Sequence, residues 1–186
     1  MRPSPQLPIE TERLILRPFS RGDVDAVFVY RQREDVARFL FDAPMSRETC
    51  AEAVQARIRQ VSLAEEDDRI TLALERRQGG EMIGEVTIIW RSVTDRQGEI
   101  GYILNPDFHG HGYATEAMRA MVTLGFTDLD LHRIYARCDM RNTPSYRLME
   151  RLGMEREASF REHRMVKGEW SNEYIYAIRA ADWPLP

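Results

Sequence analysis

The segment His109-Gly110-His111-Gly112-Tyr113-Ala114-Thr115-Glu116 follows an alternating stretch that ends at Leu104 and opens a long amphipathic one. Glycines at 110 and 112 lack a Cβ, so the backbone there can take positive φ and converge several N–H groups on a bulky anion. The first turn of the helix beyond leaves its amides unpaired and presents the positive end of the dipole, which favours a pyrophosphate without any lysine. A Gly-x-Gly turn also arises simply where a chain must change direction. The segment lacks GxxxxGK[ST] and a third glycine, which argues against a nucleoside triphosphatase loop and a dinucleotide fingerprint. Farther along, Asn142-Thr143-Pro144-Ser145 has the form of a helix start, with an Asn N-cap and a proline in the first turn.

Those residues need elements to position them. Arg13–Arg17 alternates and stops at Pro18, which reads as a short strand, and Ser20 can cap a helix through Val24, Val27 and Phe28. Ala51, Val54, Ile58 and Val61 repeat at helical spacing behind Ser46, predicting a second helix to about Ala64. Ile70, Leu72 and Leu74 alternate up to Gln78-Gly79-Gly80, and Met82–Trp90 resumes as the partner strand of a hairpin. Gln97–Leu104 is the third strand of that meander. Tyr113 to about Leu129 is a helix with Ala114, Ala117, Met118, Met121 and Leu124 inward. Arg133–Cys138 reads as a strand and Thr143–Leu152 as a helix ended by Gly153. Met154–Val166 and Trp170–Arg179 then meet across Lys167-Gly168 as a last hairpin. This order implies an α/β protein with a mixed sheet and helices on its faces.

Composition narrows the classes. At 186 residues, with 43% hydrophobic and 30% charged, the chain has the makeup of one soluble globular domain. We expect a loose tail over residues 1–8 and one domain over 9–186, as a monomer or homodimer. A net charge of −4 with both signs interspersed provides no basic field for nucleic acid or anionic lipid. Cys50 and Cys138 lie far apart with no metal spacing, which fits a reducing cytoplasm. His109, His111, His132 and His163 also lack metal-ligand spacing and read as surface or supporting groups, so no metal is expected. The N-terminus has no apolar run, hence neither signal peptide nor membrane anchor is expected.

The loop His109-Gly110-His111-Gly112-Tyr113-Ala114 resembles the Gln/Arg-x-x-Gly-x-Gly/Ala pyrophosphate loop of the GNAT acetyltransferases, with histidine at 109 where Gln or Arg is usual. Glu99–Pro106 before it and Tyr113–Ala117 after it are similar to the subgroup that includes ribosomal-protein N-terminal acetyltransferases. Thr11–Arg17, Leu131–Ile134 and Asn142–Met154 extend the resemblance over nearly the whole chain. It implies a twisted, mostly antiparallel sheet of about seven strands, flanked by about four helices and splayed at a coenzyme A site. It further implies acetyl-CoA as co-substrate, with the amides of Gly110–Thr115 on the pyrophosphate and the strand around Ile100, Tyr102, Ile103 and Leu104 along the pantetheine arm. Asn142 would touch the coenzyme, Ser145 would lie near the sulfur, and Arg147 or Arg151 would meet the outer phosphate.

The reaction so implied needs a neutral amine. Deprotonation at neutral pH costs roughly 4 to 5 kcal/mol for a lysine-like amine and about 1 for an α-amine. Glu99 is the first choice of base, because alternation puts it on the face of Gly101 and Ile103 along the strand bordering the thioester; it can equally be a solvent-facing carboxylate. Glu162 is the second choice. Many GNAT enzymes carry a tyrosine four residues beyond the serine position; here that place is Met149, which leaves Ser145 as the acid candidate. The acceptor would be an amine on a protein N-terminus or a small molecule. The alternative is a non-catalytic acyl-CoA-binding or sensing module on the same fold.

Overall fold

A computed structural model describes residues 5–184, in which the expected strands close into one eight-stranded sheet flanked by five α-helices. In chain order these are β1 (Ile9–Glu10), β2 (Leu14–Arg17), α1 (Val24–Arg31), α2 (Glu34–Ala37), α3 (Arg47–Arg57), β3 (Arg69–Arg76), β4 (Met82–Ser92) and β5 (Gln97–Leu104). There follow α4 (Tyr113–Thr127), β6 (Arg133–Asp139), α5 (Thr143–Arg151), β7 (Glu155–Val166) and β8 (Glu169–Arg179). The sheet runs β1-β2-β3-β4-β5-β6-β8-β7, antiparallel throughout except between β5 and β6.

The expected mixed architecture holds, with three corrections. The strand count rises from seven to eight because Ile9–Glu10 pairs with Ile15–Leu16 ahead of the expected opening strand. The helix count rises from four to five because the chain breaks after α1 at Gln32-Arg33 and restarts as the short α2. The helix expected to reach Ala64 stops at Arg57. There Gln60 and Val61 are drawn onto the free start of β3: the Gln60 carbonyl accepts the Thr71 N–H at 2.9 Å, and Val61 bridges Ile70. Helical spacing continued through a segment whose backbone finds strand partners instead. Of the expected tail, Met1–Ser4 lie outside the described residues, and Leu7 packs against the main core.

Strand alternation divides the interior into two layers. Leu72, Ile88, Ile100 and Ile134 pack under Met118 and Met121 of α4 and Leu148 of α5. On the opposite face Ala73 packs with Val27 and Tyr30 of α1 and Cys50 and Val54 of α3. The final hairpin turns at Lys167-Gly168 with φ of +51° and +83°, the two positive angles a tight two-residue connection requires.

Gly84 of β4 sits where β5 comes closest: a Cβ there would lie 2.4 Å from the Ile103 carbonyl oxygen and 3.0 Å from the Leu104 Cα. Backbone cannot swing away as a side chain can. Gly84→Ala is therefore expected to destabilise the protein by about 1–3 kcal/mol in urea unfolding; an unchanged midpoint would show that β4 and β5 can part freely.

Candidate active site

Gly110 and Gly112 both adopt φ of +80°, and Gly112 is the N-cap of α4. The Glu116 N–H makes the first turn's bond to the Gly112 carbonyl at 3.1 Å, so the amides of Tyr113, Ala114 and Thr115 precede the intrahelical ladder. A Cβ built on Gly110 would meet nothing within 4 Å, so the space over the loop is open to a ligand. The His109 ring instead turns back, with Nε2 3.2 Å from the Leu104 carbonyl oxygen, and ties the loop to the end of β5.

The loop is braced from the turn between β1 and β2. Glu116 accepts from the Thr11 hydroxyl at 2.6 Å, the Arg13 amide at 2.8 Å and the Arg13 guanidinium at 2.7 Å, while Arg13 also donates to the His111 carbonyl at 2.8 Å. Burial works against the Glu116 charge, but the hydrogen bonds from Thr11 and Arg13 outweigh it and hold the carboxyl below the usual glutamate range.

Beside the loop the sheet opens. β5 and β6 pair only at Gln97–Arg133, Gly98–Ile134 and Glu99–Tyr135. Beyond that point β5 follows β4 to Leu104, and β6 follows β8 to Asp139. The facing edges of Ile100–Leu104 and Ala136–Asp139 thus have backbone groups directed into a gap, where an extended amide-bearing arm could take their hydrogen bonds. The cleft continuous with this gap has a volume of about 1020 Å³.

Ser145 lies on the wall formed by α5, 8% exposed, with its N–H 3.3 Å from the capping Asn142 Oδ1. Its hydroxyl acts on two neighbours, the partly buried Tyr102 phenol and the buried Cys138 thiol. Burial pushes the Tyr102 pKa up, against the opposing influence of Ser145 and Arg151. Burial likewise pushes the Cys138 thiol up to about 11, with Ser145 opposing and the charges of Asp139 and Glu173 adding. Met149 is buried and lines the cleft, and Tyr146 turns edge-on to the Tyr174 ring at 5.8 Å.

The opposite face of the same strands carries the charges. Sheet register puts Glu85, Glu99, Arg137, Asp139 and Glu173 on one side of the gap. Glu85 accepts from Tyr30 at 3.0 Å and Arg57 at 2.7 Å. Glu99 accepts from Arg91 at 2.7 Å, Arg137 at 2.9 Å and the Tyr135 hydroxyl at 3.3 Å. Arg141 grips Asp139 at 2.8 Å. Across the mouth, Lys167 Nζ donates to the Ala37 carbonyl at 2.5 Å and the Arg164 guanidinium lies 4.9 Å from the centre of the Phe41 ring, so the last hairpin closes on the loop after α2.

A family model for the acetyltransferase (GNAT) domain matches residues 13–155. The chain belongs to the GNAT acetyltransferases. The uncharacterised N-acetyltransferase YnaD of Bacillus subtilis is 31% identical over 94% of this chain and 98% of its own length. Spermidine N(1)-acetyltransferase of Escherichia coli is 25% identical over 84% and 81% of the two chains. The E. coli [ribosomal protein uS5]-alanine N-acetyltransferase is 29% identical over 45% and 43%. A solved GNAT-family acetyltransferase from Bacillus anthracis superposes with a TM-score of 0.84, at 31% identity, over 94% of this chain and 99% of that one.

Among the GNAT positions expected from sequence, Glu99, Ile100–Leu104, His109, Asn142 and Ser145 line one cleft, whereas Gly110–Thr115, at the head of α4, lie outside its lining. Arg147 and Arg151 are exposed on α5 and lie outside the residues lining it. Glu162 sits exposed in a bulge of β7 at φ +47°, its N–H donating to Asn172 at 2.9 Å, and also lies outside the lining. Sequence reasoning missed the brace of Thr11, Arg13 and Glu116, the phenol of Tyr102 against Ser145, and Glu173. Arg13 and Glu116 both fall within stretches that resemble the family, but nothing in the chain says that residues 103 apart form a pair. Glu173 looks like any polar residue on an alternating strand.

Gly112→Val is expected to abolish acetyl-CoA binding, since a branched side chain at positive φ is strained by ~1–3 kcal/mol and would stand between the loop amides and the pyrophosphate. Calorimetry on the folded variant checks it: a Kd within about threefold of wild type, ~0.65 kcal/mol, would remove the cradle assignment.

The brace predicts a pH dependence of stability. A carboxyl whose folded pKa is lowered adds stability above its unfolded value near 4.5, and that contribution is lost as pH falls through the folded value. Glu116→Gln should therefore flatten the acid limb of a stability–pH curve; a limb as steep as wild type's would show that the brace contributes nothing there.

Proposed function

We propose that the protein transfers the acetyl group of acetyl-CoA to a primary amine by direct attack in a ternary complex. The observation carrying this reading is the parting of β5 and β6, whose unpaired edges line one cleft with Ser145 and with His109 at the start of the loop that heads α4. A phosphate-bearing thioester fits that sequence of groups from end to end. When bound, acetyl-CoA supplies an activated carbonyl and a thiolate leaving group.

In this reading the amides of Gly110–Thr115 hold the pyrophosphate and the edge of Ile100–Leu104 aligns the pantetheine arm, converting a bimolecular encounter into a positioned one. Asn142 supports the site by capping α5 and fixing the Ser145 backbone. Ser145 hands a proton to the departing sulfur, and Tyr102, kept protonated by burial, stands behind it as the source that restores the hydroxyl. Arg147 and Arg151, free on the α5 surface, are the candidates for the coenzyme's outer phosphate. Glu99 brings its carboxylate to the gap with both oxygens engaged by guanidinium groups, which suits it to anchoring Arg91 and Arg137 at the branch point. The acceptor is a protein N-terminal α-amine or a small-molecule amine: the relatives named for a ribosomal protein and for spermidine motivate testing both.

A thiol-release assay with acetyl-CoA against Ala- and Ser-initiated peptides, spermidine and an aminoglycoside tests the reading. Amine-dependent release is expected with at least one class; tight acetyl-CoA binding with none would identify a non-catalytic acyl-CoA module. Ser145→Ala is expected to leave the acetyl-CoA Kd within about threefold while lowering kcat by roughly 10²-fold or more, because the donated proton matters in the transition state. A proportional loss of affinity and rate would make Ser145 a binding residue instead.

A further inference from the structure

The carboxylates on the acceptor side of the cleft are not equivalent. Glu85 is met by Arg57, Glu99 by Arg91 and Arg137, and Asp139 by Arg141, each within 2.9 Å. Glu173 of β8 has only 5% of its side chain exposed, and its Oε2 is buried without a hydrogen-bond partner. Its Oε1 lies 3.5 Å from the Ser171 hydroxyl, at the limit of a hydrogen bond. The basic groups that approach it, His163 Nε2 and Arg164 Nε on β7, stand back at 4.0 and 3.9 Å. A buried acceptor atom left unmade is destabilising, and a half-paired carboxylate more so, unless something arrives to complete it.

We propose that Glu173 is a catalytic residue that receives the acceptor as its ammonium form and takes its proton, so that the neutral nitrogen can attack. This rests on the acetyl-transfer reading and deepens it by naming the acceptor's charge and the base. Glu173 lines the cleft, opposite Asp139 in the β6–β8 register, and its charge is felt at the Cys138 thiol beside Ser145. It therefore stands across the gap from the proton-donating wall. The carboxylate's orphan oxygen can accept from an incoming N–H, whereas Glu99 would first have to release an arginine. Glu173 takes the ammonium proton and passes it to water; the neutral amine then attacks, the N–C bond forms and the C–S bond breaks, the nitrogen's second proton passes to Glu173, and the thiolate takes a proton from the Ser145 side that water restores. The groups facing Glu173 are His163 and Arg164 of β7, Ser171 of its own strand and Asp139 of β6. Asp139 is itself held by Arg141, with Arg38 contributing from beyond α2. His163 and Arg164 stand too far off to occupy its orphan oxygen.

The test is Glu173→Gln in the full chain, with Glu99→Gln beside it. Acetyl-CoA Kd, melting temperature and kcat/KM for amine-dependent thiol release from pH 6.5 to 9.5 are measured with spermidine and an Ala-initiated peptide. Glu173→Gln is expected to keep the acetyl-CoA Kd within about threefold and the melting temperature unchanged or raised, since a buried charge short of partners is removed. Its kcat/KM should fall roughly 10²-fold at pH 7 and recover as pH approaches the amine's own pKa. Activity within about threefold of wild type, or a loss equal at every pH, would overturn the assignment, and a collapse confined to Glu99→Gln would transfer it to Glu99. Wild type that binds acetyl-CoA yet releases no thiol with either amine would overturn the transfer reading itself, and Glu173 with it.

Discussion

Three residue pairs between β5 and β6 are the constraint on which the site depends. A parallel ladder that continued to the strand ends would satisfy every backbone group and leave no room for an arm between the strands. Divergence after Glu99–Tyr135 forgoes several ladder bonds, and it is tolerated because each strand is held on its far side. β5 pairs with β4 as far as Leu104–Gly84, and β6 pairs with β8 as far as Asp139–Glu173. The branch point is locked by Glu99, which joins Arg91 of β4 to Arg137 of β6. One carboxylate thereby ties the antiparallel meander to the strand leaving it.

Strand alternation then assigns work to faces. On β5, Tyr102 points with Ile100 toward α4 and α5, while Glu99 and Ile103 point toward α1 and α3; on β6, Cys138 and Asp139 divide the same way. The Ser145–Tyr102 pair therefore approaches the gap from one side and the charged acceptor groups from the other. In the proposed reaction, an acid for the leaving group and a base for the nucleophile would be kept apart by the thickness of a sheet. In that arrangement they cannot neutralise one another directly, which is what opposed proton transfers in one step require.

How much of this was legible in the chain follows from the range of each interaction. The phosphate loop is local: two glycines and the helix behind them lie within seven residues, so Gly110–Glu116 could be read without a fold. The strands and α4 announced themselves through periodicity, and Asn142 as a cap through its neighbours. The α3 end failed because helical spacing at Ile58 and Val61 competed with a tertiary demand, the open edge of β3 at Ile70–Thr71. The brace on the loop and the pairing state of the carboxylates failed for a stronger reason. Whether Glu99 is free or doubly gripped, and whether Glu173 is gripped at all, depends on side chains brought from four different strands. No spacing rule carries that information.

The loop itself shows why no lysine is needed at the phosphate end. Lys167 is the chain's single lysine, and its ammonium is committed to the Ala37 carbonyl at the other end of the cleft. Arg13 lies against the loop, and Glu116 and the His111 carbonyl engage its Nε and Nη1. Its charge is partly spent on holding the loop's shape rather than on contacting an anion. What would remain for a pyrophosphate is a set of aligned N–H groups and a helix dipole, fixed in advance by a brace from the turn between β1 and β2. Such a cradle orders no long side chain on binding, so the entropy that flexible cations would lose has already been lost in folding. In the proposed reading the distant turn between β1 and β2 would belong to the binding site: it touches the loop and sets the geometry in which the amides converge.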